Sequence, residues 1–145
     1  MKLLIINGPN LNMLGIREPH IYGSATYDDL TRYIKEVCTK NNVECEIYQS
    51  NHEGNIVDKI QEAYMTFDAI IINPAAYTHT SIAIADAIKS VNIPTIEVHL
   101  SDITKREDFR KNSFTAPVCI KTIMGKGFSG YEDAILFLQD YIKKC

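Results

Sequence analysis

Short apolar runs rich in β-branched residues recur along the chain, and amphipathic stretches of helical period stand between them. Leu3 to Ile6, Val43 to Tyr48, Ala69 to Ile72, Thr95 to Leu100 and Val118 to Met124 read as strands buried on both faces. Tyr27 to Lys40 sets Leu30, Tyr33, Ile34, Val37 and Cys38 on one helical face, and Ile56 to Met65 does the same with Ile56, Val57, Ile60, Ala63 and Tyr64. Ser81 to Val91 and Tyr131 to Ile142 complete the helices. Strand and helix alternating at this spacing imply right-handed crossovers and a parallel sheet covered on both faces. The expected architecture is an α/β flavodoxin-like three-layer sandwich, a five-stranded parallel sheet of order 2-1-3-4-5. One domain over residues 1–145 is expected, with no linker or internal repeat.

In such a sheet, ligands bind at the carboxyl ends of the strands, near the switch point between the first and third. The loops at that rim are rich in polar residues: Gln49-Ser50-Asn51-His52-Glu53-Gly54 after strand 2, Asn73 to Ser81 after strand 3, and Glu97-Val98-His99-Leu100-Ser101 around the end of strand 4. After strand 1 comes Asn7 to Gly23, a segment too long and too chemically varied to be a plain connection. It holds Asn10, Arg17, His20 and Tyr22 beside apolar residues that favour burial, as an active-site lid would. All four histidines fall on these segments. Glu97 and His99, two apart on one strand, share a face at about 6.6 Å between Cα atoms, so the carboxylate can orient the imidazole and keep it protonated.

Composition narrows the partners. A net charge of −3 and a pI near 5.8 offer no broad basic field for nucleic acid or an anionic membrane. No apolar run approaches the roughly 20 residues of a membrane span. Cys38, Cys45, Cys119 and Cys145 form no C-x-x-C pair and the start of the chain has no leader pattern, so a reduced, cytoplasmic protein is expected. The histidines lack the short pair spacings of metal ligands, and no metal is expected. Gly125-Lys126-Gly127-Phe128-Ser129-Gly130 matches G-x-G-x-x-G, but no strand ending in an acid follows, so its glycines are read as loop and packing residues. A phosphoryl-accepting receiver needs Asp where strand 3 ends on Asn73, and an FMN site needs hydroxyls where this chain has Gly8-Pro9-Asn10.

Five segments in order, N-G-P-N-L-N-M-L-G-x-R-E-P-x-x-Y-G, Q-S-N-H-E-G, N-P-A-A-Y-T-H-T-S, E-V-H-L-S and R-E-D-F-R, resemble the type II 3-dehydroquinate dehydratases nearly end to end. The resemblance implies loss of water from 3-dehydroquinate through an enolate, without a cofactor. It implies Tyr22 as base, with Arg17 favouring tyrosinate; Asn10 holding a water against the enolate oxygen; and His99, oriented by Glu97, as general acid. It further implies that Asn73 and His79 contact substrate hydroxyls, that Ser101 and the backbone at Leu100 hold the carboxylate, and that Arg110 binds another hydroxyl. Asp86 is implied to reach a neighbouring subunit's site in a homododecamer of trimers. His52 and Glu53 are given only supporting roles, and His20 none.

The sequence departs from the family pattern at Ala85, where Arg is usual, which weakens the expectation for Asp86 and for the dodecamer. Two other readings fit the residues less well. A non-catalytic module holding a small polyhydroxylated acid would have no need of the Arg17/Tyr22 pair. Elimination through a lysine Schiff base would need a desolvated core lysine, and the strands carry only Lys2 and Lys121, neither at a carboxyl end. Whether the reaction serves aromatic biosynthesis or quinate breakdown is not written in the residues.

Overall fold

The computed structural model describes residues 1–16, 20 and 23–145. Its strands are β1 (Lys2–Asn7), β2 (Glu44–Gln49), β3 (Ala69–Asn73), β4 (Thr95–His99) and β5 (Lys121–Met124). The helices are α1 (Tyr27–Lys40), α2 (Glu53–Glu62), α3 (Ile82–Val91) and α4 (Ser129–Lys143). The strands form one parallel sheet of order β2-β1-β3-β4-β5, the flavodoxin-like arrangement expected.

Strand alternation sorts β1 into two cores. Leu3 and Ile5 pack with Leu30 and Ile34 of α1 and with Ala134, Ile135 and Leu138 of α4. Leu4 and Ile6 point the other way, onto Ile56 and Ile60 of α2 and Ile84 and Ile88 of α3. Helix α1 starts at a capping box in which Thr26 and Asp29 satisfy one another's backbone N–H groups. Ser81 caps α3 by accepting from the N–H of Ile84 at 2.9 Å.

The sheet departs from expectation at its edges. β2 exposes Glu44 and Glu46, because an edge strand is covered less completely than a central one. Residues 116–118 form a 3-10 turn around Pro117, and pairing with β4 starts only at Lys121, so Val118 and Cys119 pack on the core from outside the sheet. Helix α2 begins at Glu53, ahead of the apolar period, and has ended before Met65, whose φ of 64° is left-handed. In the Gly125–Gly130 segment, Gly125 and Gly127 take positive φ and Gly130 lies against Ile123 and Val98, the packing role expected of it.

Candidate active site

The switch point is drawn tight by Gly8. A Cβ there would stand 2.6 Å from the carbonyl oxygen of Pro74, so only glycine lets the chains leaving β1 and β3 approach this closely. Above this point opens a cavity of about 110 Å³, the scale of one six-membered ring. Asn10, Asn73, His79, His99, Leu100, Ser101 and Arg110 all line it. Arg106 also lines it.

Each side chain is held by identifiable partners. Asn10 takes a left-handed φ of 69°, which Asn tolerates, and its N–H donates to Asn51 Oδ1 at 3.0 Å. Gln49 ties that corner to the loop after β1 by donating to the Gly8 carbonyl and to Asn51 Oδ1. Asn73 is buried; its Oδ1 accepts from Ala75 N–H and its Nδ2 donates to Tyr131 Oη, which in turn donates to Asn7 Oδ1 at 2.6 Å. Burial, first of all, pushes the Tyr131 phenol up, so it acts there as a neutral donor. His79 gives its Nδ1 proton to the Asn112 carbonyl at 2.7 Å, which leaves Nε2 for a ligand. Arg110 Nε lies 2.6 Å from a Glu107 carboxylate oxygen, an ion pair without linear hydrogen-bond geometry.

Glu97 and His99 form the electrostatic centre. His99 Nε2 donates to Glu97 Oε2 at 2.8 Å, leaving Nδ1 as the ring nitrogen available to the cavity. Burial drives the Glu97 carboxyl upward, but the hydrogen bond and charge of His99, and then the hydroxyls of Thr115 and Ser113, outweigh it and hold the group below its ordinary value. A buried anion thus faces a buried imidazole at the cavity wall, an arrangement able to hold and release a proton.

Other expected residues stand apart. Asp86 is exposed on α3 and does not line the cavity. His52 and His20 are exposed; Glu53 opens α2. Arg17 and Tyr22 lie outside the described residues. Thr78, Ser113, Thr115 and Tyr131, which support the lining residues, escaped the sequence reading; loop hydroxyls and a core tyrosine carry no signature of their own. Among the described residues, no group of three or more His, Cys, Asp or Glu side chains could hold a metal ion, and no helix is long and apolar enough to cross a membrane.

Comparison with known proteins follows the same lines. The family described as dehydroquinase class II matches residues 1–139. A 3-dehydroquinate dehydratase of Clostridium acetobutylicum is 56% identical over 144 residues, covering 99% of this chain and 100% of that one. The crystal structure of a type II dehydroquinase from Butyrivibrio crossotus superposes with a TM-score of 0.94 at 57% identity, covering 96% of this chain and 97% of that one. A type II dehydroquinase from Propionibacterium acnes gives 0.92 at 41% identity, with 96% of each chain covered.

Proposed function

Since the chain belongs to the class II dehydroquinase family and is a hydro-lyase of the 3-dehydroquinate dehydratase type, we propose that it works with a tyrosinate base and a histidine acid. Tyr22 takes the proton α to the ketone of 3-dehydroquinate, and the electron pair moves into an enolate. A tyrosine with an ordinary pKa near 10 needs a cation to serve as base, and Arg17 is that cation. Asn10 holds a water against the enolate oxygen, stabilising charge where it develops. The enolate then collapses, the C–O bond to the β-hydroxyl breaks, and His99 protonates the departing oxygen, giving 3-dehydroshikimate and water. Asn73, His79, Ser101 with the Leu100 backbone, and Arg110 orient the ring.

The observation that carries this reading is the buried Glu97–His99 pair at the cavity wall, with Asn10, Asn73, His79, Ser101 and Arg110 around the same small volume. A carboxylate that orients an imidazole through one ring nitrogen suits an acid that must deliver a proton to a poor leaving group. In the same reading the chain is one cytoplasmic catalytic domain of the shikimate pathway of aromatic amino acid biosynthesis. It assembles into a homododecamer in which Asp86 reaches a neighbour's site.

The test is conjugated-enone absorbance when the protein meets 3-dehydroquinate without added metal or nucleotide, with Tyr22→Phe alongside. Turnover by the native chain, and loss of about 100-fold or more in the variant with binding kept, is expected. Binding without enone would replace catalysis by a polyol-acid binding module, and inactivation by borohydride with substrate would point to a lysine Schiff base.

A further inference from the structure

We infer that Thr115, together with Thr78 and Ser113, is a positioning residue for the His99 acid: the three hydroxyls fix the Glu97 carboxylate so that it presents His99 to the cavity as a proton donor. The inference rests on the reading of His99 as the acid. Glu97 is fully buried, and an ionised carboxylate can only accept, so each of its oxygens needs donors from the protein. Thr115 Oγ1 donates to Oε1. Oε2 takes His99 Nε2 at 2.8 Å, Ser113 Oγ at 3.1 Å and Thr78 Oγ1 at 3.2 Å.

The hydroxyls also crowd together: Thr78 Oγ1 lies 2.6 Å from Ser113 Oγ and 2.7 Å from Thr115 Oγ1, so the single proton of each goes either to a neighbouring hydroxyl or to Glu97, and Ala116 N–H donates to Ser113 Oγ at 3.0 Å. Thr78 belongs to the turn after β3, Ser113 and Thr115 to the segment leading toward β5, and Glu97 and His99 to β4 between them. The carboxylate is therefore gripped from both neighbouring strands of the sheet. A purely structural cluster of hydroxyls could satisfy itself; burying an anion inside it costs desolvation that the cluster must offset. What that anion accomplishes is to bind one nitrogen of His99 and leave the other facing the cavity.

Loss of the Thr115 hydroxyl leaves Glu97 one donor short and less fixed, so its carboxyl takes up a proton at higher pH and it holds His99 less steadily. The other groups around the pair are the Cys119 thiol, pushed up to about 12 by burial and by the charge of Glu97, and His79, Arg106 and Arg110 on the cavity wall. Thr115→Val replaces none of them.

The experiment measures kcat and KM on 3-dehydroquinate across pH for the native protein, Thr115→Val, Thr115→Ser, Thr78→Val and His99→Gln. Thr115→Val is expected to lower kcat by roughly 10- to 100-fold with KM changed less than about threefold. The acid limb of its kcat profile, where Glu97 takes up a proton, should move to higher pH, because Thr115 is one of the donors that hold that carboxyl low. Thr115→Ser, which keeps the hydroxyl, should restore both. If Thr115→Val keeps the native kcat and acid limb while His99→Gln is inactive, the hydroxyls are structural only and the inference fails with the acid assignment intact. If His99→Gln itself keeps native kcat, the acid assignment fails and the inference with it. Should Thr115→Val not fold, Thr78→Val decides by the kcat and KM split: a lowered kcat with KM kept supports the inference, and a native kcat overturns it.

Discussion

At the carboxyl rim of the sheet, β1, β3 and β4 end on Asn7, Asn73 and His99, exposed by only 0%, 3% and 4%. At the amino rim, β1, β2 and β5 begin on Lys2, Glu44 and Lys121, which reach solvent. Both rims offer the same backbone. They differ in what their polar atoms rely on: water at the amino rim, one another at the carboxyl rim. Lys2 N–H donates to the exposed Asp68 carboxylate, and the Lys2 ammonium rests over the Phe67 ring 5.0 Å away, contacts that solvent could replace. Asn7, Asn73, Tyr131, Glu97, His99 and the three hydroxyls have no such substitute, and buried polar groups of this kind persist only when paired. Apart from Thr95 at the start of β4, whose hydroxyl donates to the Ile93 carbonyl, the buried polar residues of the strands stand at the rim where a ligand can enter.

The largest expected contrast in stability comes from deleting one polar atom at each rim. Tyr131→Phe removes a hydroxyl that both donates to Asn7 and accepts from Asn73, leaving two buried amides short of a partner. Chemical denaturation should register a loss of about 1–3 kcal/mol. Asp68→Asn at the other rim should stay within about 0.5 kcal/mol. Equal losses would erase the distinction between the rims.

The thiols sharpen the same contrast more gently. Cys45, on β2 one pair in from the amino rim, is lowered to about 7: the Cys38 thiol hydrogen-bonds it and the Lys35 charge assists, against burial. Cys119, near Glu97, is moved the opposite way, to about 12, by burial and then by that anion. A thiolate alkylates and a thiol does not. Cys45 labelling by iodoacetamide should therefore be slow below pH 7 and rise with a midpoint near 7, whereas Cys119 should stay unlabelled in the folded protein through pH 9. Peptide-resolved mass spectrometry reads both, and labelling of Cys119 at neutral pH would show that burial and the charge of Glu97 do not keep that thiol protonated.

The layers and strand order were legible because β1 and β3 are continuous apolar runs between helical periods, a pattern few other arrangements satisfy. Boundaries failed where apolar residues bury themselves without pairing, as Val118 and Cys119 do after Pro117, and where a first helical turn is polar, as at Glu53 and Asn55. In the site, the Glu97–His99 pair was readable from its spacing of two along a strand, and the cavity-lining residues from the resemblance. Thr78, Ser113 and Thr115 were not readable, since their meeting on one carboxylate depends on how the turn after β3 and the segment leading toward β5 fold over β4.

The central claim is that the buried polar set at the carboxyl rim performs the elimination. The most direct measurement is enone formation from 3-dehydroquinate at pH 7 by the native protein, His99→Gln and Asp68→Asn in parallel. The account predicts that Asp68→Asn turns over as the native protein does and that His99→Gln falls by about 100-fold or more while still binding substrate. Native-like turnover by His99→Gln would contradict it.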